Sequence, residues 1–156
     1  MASNRHLGRI IALQSLYEYD FRAGLGDDSE TIKVILARNL ERYADKIDDK
    51  DFVQKLTFGV AKEAKHLDAE IAPIAPEWPL NQIALVDHEI LRIAIFELKN
   101  FKDLVPPKVA INEAVELAKA FGSENSSRFI NGVLGTFWRQ TDREEEKNDT
   151  KRRAKK

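Results

Sequence analysis

The sequence contains no cysteine and only one methionine among its 156 residues. The absence of cysteine excludes disulfides, thiolate metal ligands and cysteine nucleophiles. No stretch approaches the roughly 18 uninterrupted apolar residues that a membrane-spanning helix requires. No apolar run of signal-peptide length follows the first residues either. We therefore expect a cytoplasmic protein with no membrane partner.

Acidic residues are missing from the start of the chain. No Asp or Glu precedes Glu18, whereas Arg5, His6 and Arg9 all lie in that segment. Over the whole chain, 25 basic and 26 acidic residues give a formal net charge of −1, which is not typical of a general nucleic-acid binder. The segment 151–156 carries five positive charges. Any RNA contact must therefore depend on local charge.

Enzyme signatures are incomplete. The Gly-Leu-Gly at 24–26 begins like a dinucleotide-binding loop, but Ser29 occupies the position of the third glycine and no strand pattern precedes it. His88 and Glu89 begin a zinc-protease motif, but Arg92 stands where the second histidine is required. We predict that the chain is not an enzyme, with no catalytic residue, no cofactor and no metal site.

Prolines lie in two clusters, and they divide the chain because proline interrupts helices. In each of the segments that the prolines separate, apolar residues recur every three or four positions, which predicts helices. The central segment 80–103 is apolar on nearly its whole circumference, as expected for a helix in the middle of a bundle. The prolines are Pro73, Pro76, Pro79, Pro106 and Pro107.

These patterns predict an all-α fold of two small bundles that share a buried central helix. We assign residues 1–76 to an N-terminal bundle and 77–140 to a C-terminal bundle. Residues 141–156 are almost free of apolar groups, which predicts a charged, disordered tail.

Arg92 lies inside the apolar run 90–96. A guanidinium cannot be buried without a partner at reasonable cost. The next predicted helix offers Glu113 and Glu116, and Asp87 lies on the same helix as Arg92. We predict a structural ion pair between Arg92 and Glu113 or Glu116, rather than a ligand contact.

Two segments are candidates for RNA binding. Arg5 and Arg9 are four residues apart and share a helix face, and arginine suits phosphate recognition. Asn125 or Ser126 is placed to cap the last helix, whose free N–H groups attract phosphate, and Phe129 is placed to stack on a base. The alternatives are a solvated helix face for the arginines, a core position for Phe129 and a simple cap at Asn125.

Several collinear motifs carry a family resemblance. VAINEAVELAK at 109–119 is followed by Phe-Gly at 121–122 and by FINGVL at 129–134, while ILRIAIFEL and ALQSLY occur upstream at 90–98 and 12–17. Together these segments cover about residues 5–138 and resemble the NusB family of transcription antitermination factors.

The resemblance implies two three-helix bundles that bind boxA RNA of ribosomal RNA leader transcripts together with ribosomal protein S10. That complex helps RNA polymerase to resist termination during ribosomal RNA synthesis. The S10 surface would lie on the central and following helices, with Asp87 at the acidic position of the family. A homodimer is left open. The implied RNA-binding residues are Arg5, His6, Arg9, Tyr17, Lys119, Asn125, Ser126 and Phe129.

Two departures from the family pattern concern RNA affinity. The arginine cluster of the first helix is thinner here, and Asn125 stands where the family commonly has an acidic residue. Fewer arginines weaken phosphate attraction, whereas the loss of a carboxylate removes repulsion. The alternative functions are a ribosome-assembly role through the same surfaces and a protein-interaction adaptor without specific RNA binding.

Overall fold

The computed structural model describes residues 4–155. Residues 1–3 of the predicted N-terminal bundle and residue 156 of the predicted tail lie outside the described residues. Within the described range every regular element is helical, which confirms the predicted all-α class. Two short 3-10 turns, Ala72–Ile74 and Leu80–Gln82, lie in the proline-rich linker. None of the described helices is long and apolar enough to cross a membrane. The six α-helices are α1 (Arg5–Gly24), α2 (Ile32–Arg42), α3 (Lys50–Ile71), α4 (Leu85–Asn100), α5 (Pro107–Phe121) and α6 (Ser126–Ala154).

Local sequence signals determine where four of the helices begin. Asn4, Thr31 and Asp49 precede α1, α2 and α3, and each side chain accepts a hydrogen bond from the backbone N–H three residues further on. Such caps satisfy donors that have no partner inside the helix. The helix α5 begins with Pro107, which needs no N–H at that position.

The helix α4 lies at the centre of the molecule. It packs against α1 and α3 on one side and against α5 and α6 on the other, and one continuous apolar cluster joins all of them. Gly59 allows α3 to approach α4 closely, because a Cβ atom there would lie 2.1 Å from the Phe96 ring. The predicted buried central helix is thus confirmed, while the boundary at residue 76 stays a prediction.

The helix α6 is longer than the sequence analysis predicted. Residues 141–154, predicted to be disordered, continue the helix, and every described side chain from 142 onward is exposed. This segment contains no proline or glycine and is rich in Glu, Lys and Arg, which favour helix. Because α6 is already nucleated upstream, each added turn needs propensity alone and no buried face.

Arg92 on α4 forms ion pairs with two neighbouring helices. Its guanidinium lies 2.7 Å from the Asp68 carboxylate on α3, 2.8 Å from Asp20 on α1 and 3.0 Å from Glu89 one turn back. Burial acts to raise the pKa of Asp68. The hydrogen bonds with Arg92 and His88 outweigh burial and lower this pKa to about 2. Arg92 therefore joins α4 to α1 and α3.

The predicted partners of Arg92 are wrong. Glu113 pairs with His6, and Glu116 lies 3.5 Å from Lys119 on its own helix. Both acids belong to α5, which packs against a different side of α4. The sequence indicated that Arg92 needs a buried partner, but helix packing decides which helix supplies it.

Glu89 is a buried carboxyl group that faces another carboxyl group. It has no exposed surface, and its Oε1 accepts a hydrogen bond from Arg92. Its Oε2 has no donor among the described residues, and the Asp20 carboxylate is within hydrogen-bonding reach. Burial first, and then Asp20, raise the pKa of Glu89 to about 9. At neutral pH the folded protein therefore favours the protonated form of the Glu89 carboxyl group.

Replacement of Glu89 by Gln tests this proton. In the unfolded chain Glu89 ionises above its ordinary pKa of 4.5, whereas in the folded chain it keeps its proton up to about pH 9. Folding thus takes up about one proton in this window, so the free energy of unfolding falls as pH rises through it. Because Gln keeps the donor without titrating, Glu89→Gln should be more stable than the wild type, with an advantage that grows from pH 5 to pH 8.

Urea denaturation of both proteins at several pH values measures this difference. Near pH 4 the two curves should meet, because Glu89 is then protonated in both states. A constant difference between pH 4 and pH 8 would contradict this retained proton.

Candidate nucleic-acid interface

Arg5 and His6 lie at the surface where α1 begins. The His6 side chain is 54% exposed, and its Nδ1 lies 2.7 Å from an oxygen of Glu113. Arg5 donates to the backbone carbonyl of Leu104 at 3.1 Å and lies 3.9 Å from Asp49. Both basic side chains can reach a ligand, but each already has an acidic neighbour. We call Arg5 and His6 the N-terminal patch.

Arg9 is buried, although it follows Arg5 by one turn. Its side chain is 3% exposed, and Nε and Nη2 donate to the Glu97 carboxylate at 3.0 and 2.7 Å. Glu97 is itself 1% exposed, and its pKa is raised by burial, with the Arg9 guanidinium acting in the opposite direction. This burial contradicts the predicted role of Arg9 as an RNA contact. Arg9 instead joins α1 to α4.

Ser126, rather than Asn125, organises the start of α6. Asn125 precedes the helix, but its side chain makes no capping hydrogen bond. The Ser126 hydroxyl accepts from the Ser123 N–H at 2.8 Å and donates to the Asp87 carboxylate at 3.0 Å. A Cβ atom at Gly122 would lie 2.5 Å from this hydroxyl, so glycine leaves room for it. Because Ser126 is 2% exposed, its predicted direct contact with RNA is wrong.

Two aromatic rings border a cavity beside this helix start. Trp78, which is 52% exposed, and Phe129, which is half-buried, line a cavity of about 240 Å³ together with Asn125 and Asp87. Trp78 was not among the residues predicted from the sequence, although a tryptophan between two prolines in a linker was an available signal. We call Trp78, Asn125 and Phe129 the α6 patch.

Asp87 forms the polar wall of the same cavity. Asp87 is only 8% exposed, and its Oδ1 has no hydrogen-bond partner among the described residues. Burial raises the pKa of Asp87, and the hydrogen bond from Ser126 opposes this rise. Oδ1 is therefore a buried acceptor without a hydrogen bond, which carries a cost in desolvation.

The other predicted RNA-binding residues lie apart from these patches. Tyr17 stacks on Phe21, with ring centroids 6.0 Å apart, and lies roughly 18 Å along α1 from Arg5. Lys119 is exposed on α5 and lies 3.5 Å from Glu116. Both are accessible, but no hydrogen bond or ion pair within residues 4–155 links either to the N-terminal patch.

The predicted RNA surface is therefore divided. The N-terminal patch adjoins the Arg9–Glu97 pair, and the α6 patch adjoins the Ser126–Asp87 bond. Glu97 and Asp87 lie ten residues apart on α4, which is roughly 15 Å along the helix. A few nucleotides of extended RNA can cover this distance, so the two patches can serve one strand without touching each other.

Comparison with known proteins decides the family. The model of the NusB family matches residues 6–139. The chain belongs to the NusB family. A transcription antitermination protein NusB from Chloroflexus aggregans is 46% identical over 137 residues, which cover 87% of each chain. As a member of this family, the chain is an antitermination factor and not an enzyme.

Solved structures of the NusB family share the fold. That of T. maritima NusB is 31% identical, has a TM-score of 0.76 and covers 88% of this chain and 92% of its own. A structure of the antitermination factors NusB and NusE in complex with double-stranded RNA is 23% identical, with a TM-score of 0.74 over 87% of this chain and 96% of that chain. The latter similarity establishes the fold alone.

Substitutions of Arg5 and Arg9 should lower the stability of the fold by different amounts, because Arg5 lies at the surface and Arg9 is buried. Arg9→Ala leaves Glu97 buried and unpaired, so it should lower the free energy of unfolding by about 3–5 kcal/mol. Arg5→Ala removes an exposed ion pair and one hydrogen bond, and should cost about 1 kcal/mol. Denaturant unfolding of the two variants measures this contrast. Equal stabilities would show that Arg9 is not the buried anchor described above.

Proposed function

We propose that this chain binds boxA RNA of ribosomal RNA leader transcripts together with ribosomal protein S10. This cytoplasmic complex would act on RNA polymerase to support processive ribosomal RNA synthesis. The observation that carries the proposal is the α6 patch, where accessible aromatic rings adjoin Asp87. Membership of the NusB family supports it, as does the related structure in which NusE, another name for S10, and RNA are bound by a NusB protein.

Stacking should contribute more to RNA affinity than charge does. Trp78 and Phe129 line the cavity of the α6 patch, and stacking of a base on such a ring is worth about 1–3 kcal/mol. At the N-terminal patch, in contrast, Asp49 offsets the charge of Arg5, and the Glu113 carboxylate lies 2.7 Å from His6. We therefore expect RNA binding with a small salt dependence, equivalent to about one or two phosphate contacts.

The basic end of α6 is too distant to strengthen the α6 patch. Lys151, Arg152 and Arg153 are exposed in its last turns. They lie roughly 40 Å along the helix from Asn125. RNA held at the α6 patch would reach them only if it followed the whole length of α6.

Asp87 provides the site for the protein partner. The residue lines the cavity of the α6 patch, where an N–H donor or a cationic side chain of S10 would approach its carboxyl group. RNA and S10 would thus bind side by side. Homodimer formation stays a separate prediction, which the oligomeric state in solution tests.

Binding of boxA RNA and of a scrambled RNA, with and without S10, tests the proposal. Phe129→Ala should weaken boxA binding by about 1–3 kcal/mol with little change in salt slope. Arg5→Gln should reduce the slope by about 0.7, the value for one phosphate contact on a single strand. Lys62→Gln, an exposed change on α3, is the matched control and should alter neither quantity.

The alternatives give different results. An adaptor without specific RNA binding would bind S10 but would not distinguish boxA from scrambled RNA, with or without S10. That result would contradict the proposed function. Because Phe129 also packs against the core, its variant is compared only after its unfolding transition has been measured.

A further inference from the structure

A second groove leads away from the α6 patch along the surface of α6. It has a volume of about 300 Å³ and begins at Trp78 and Phe129, which also line the cavity of the α6 patch. It continues to Gly132 and Thr136, roughly one and two turns further along the helix. A Cβ atom at Gly132 would meet nothing within 4 Å, so this side of α6 is open. The exposed side chain of Arg128 lines the same groove.

Beyond the groove, α6 carries basic residues at intervals of four. We call this set the basic row, and it consists of Arg139, Arg143, Lys147 and Lys151. All four are exposed, and none forms an ion pair within residues 4–155. Residues four apart share a helix face, so the row is one stripe of positive charge roughly 18 Å long. It starts where the groove ends, because Arg139 donates to the hydroxyl of Thr136 at 3.3 Å.

The basic row also continues the direction of the α6 patch. Phe129 and Lys147 are 18 residues apart, which corresponds to about five full turns of an α-helix. Asn125 and Arg143 have the same spacing. The side chains of each pair therefore leave α6 in nearly the same direction, roughly 27 Å apart along the helix. A strand that lies on the α6 patch and follows the helix reaches the basic row without crossing to another face.

The acidic residues of the same segment leave the basic row uncompensated. Asp142, Glu145 and Asp149 lie on the opposite face of α6, where Glu145 is 2.5 Å from a lysine of α4. Glu144 and Glu146 flank the row, but neither is within ion-pair distance of it. The cations of the row thus remain available to an anion from outside.

The basic row carries a repulsion that a polyanion would relieve. Like charges four residues apart destabilise a helix, and the row contains three such pairs in succession. A phosphate backbone along this face would replace the repulsion by attraction and release its own counterions. RNA is the polyanion that the α6 patch would bring to the start of this path.

We propose that the basic row binds the phosphate backbone of RNA, independently of base sequence, where a strand held at the α6 patch continues along α6. The inference rests on the proposed function for the first nucleotides. It adds a second surface, most of which lies beyond residue 139, where the match to the NusB family ends. Phosphate contacts position a strand and carry no sequence information. The small salt dependence expected above therefore applies to short RNA, and longer RNA should show a larger one.

Two lengthened RNAs test this contact, one with a tail of uridines before boxA and one with the tail after it. Each tail must be able to span roughly 27 Å. At least one tail should raise the affinity of the wild type. Arg143→Gln/Lys147→Gln should abolish this gain and leave the affinity for short boxA RNA unchanged. Both positions are exposed and Gln favours helix, so the variant should fold.

The salt dependence gives the size of the effect. Loss of two phosphate contacts should lower the slope of log affinity against log salt by about 1.4 for the RNA with the effective tail. Between about 200 and about 50 mM salt, the affinity gap between wild type and variant should therefore widen about sevenfold. Lys62→Gln/Lys65→Gln is the matched control, because it removes two exposed charges on α3, and it should keep the gain.

Three results would be decisive against the basic row as an RNA contact. A gain that survives in the row variant, a gain that is lost in the α3 control, or no gain from either tail would each overturn the inference. The last result is also expected if the row binds an acidic protein instead. A uridine strand without boxA separates this inference from the proposed function. It should bind the wild type more tightly than the row variant, even if boxA and scrambled RNA bind equally and the proposed function fails.

Discussion

The charged side chains of the buried helix α4 constrain three of the helices that pack against it, α1, α3 and α6. Arg92 needs acids from α1 and α3, Glu97 needs Arg9 from α1, and Asp87 takes its hydrogen bond from Ser126 on α6. A buried charge that lost its partner would cost several kcal/mol, whereas apolar contacts tolerate many arrangements. The charges therefore favour one arrangement of helices around α4, and the apolar cluster supplies most of the driving force for folding.

The same contacts position the proposed binding surfaces. The Arg9–Glu97 pair lies one turn from the N-terminal patch, and the Ser126–Asp87 bond lies within the wall of the α6 patch. Both patches are thus attached to the most buried helix, although they lie at its two ends. In the proposed function, rigid positioning and aromatic surface would replace a large basic face in a chain whose net charge is −1.

Periodicity and proline placement predicted an all-helical chain with a buried central helix, and α4 is that helix. Collinear motifs predicted the family. The sequence could not show that Arg9 faces α4 while His6 faces solvent, because a few tens of degrees of helix rotation decide burial. Likewise, the partners of Arg92 depend on which helices pack on which side. The roles of the site residues in RNA and S10 binding stay predictions.

A double-mutant cycle between Arg92 and Asp68 tests most directly whether buried charges on α4 fix the packing of its neighbours. The free energy of unfolding is measured for the wild type, Arg92→Met, Asp68→Asn and the double variant. Each single change removes the partner that the other side chain contacts at 2.7 Å, so the double variant should be more stable than the sum of the two losses predicts, by at least about 1 kcal/mol. Strict additivity would contradict the account.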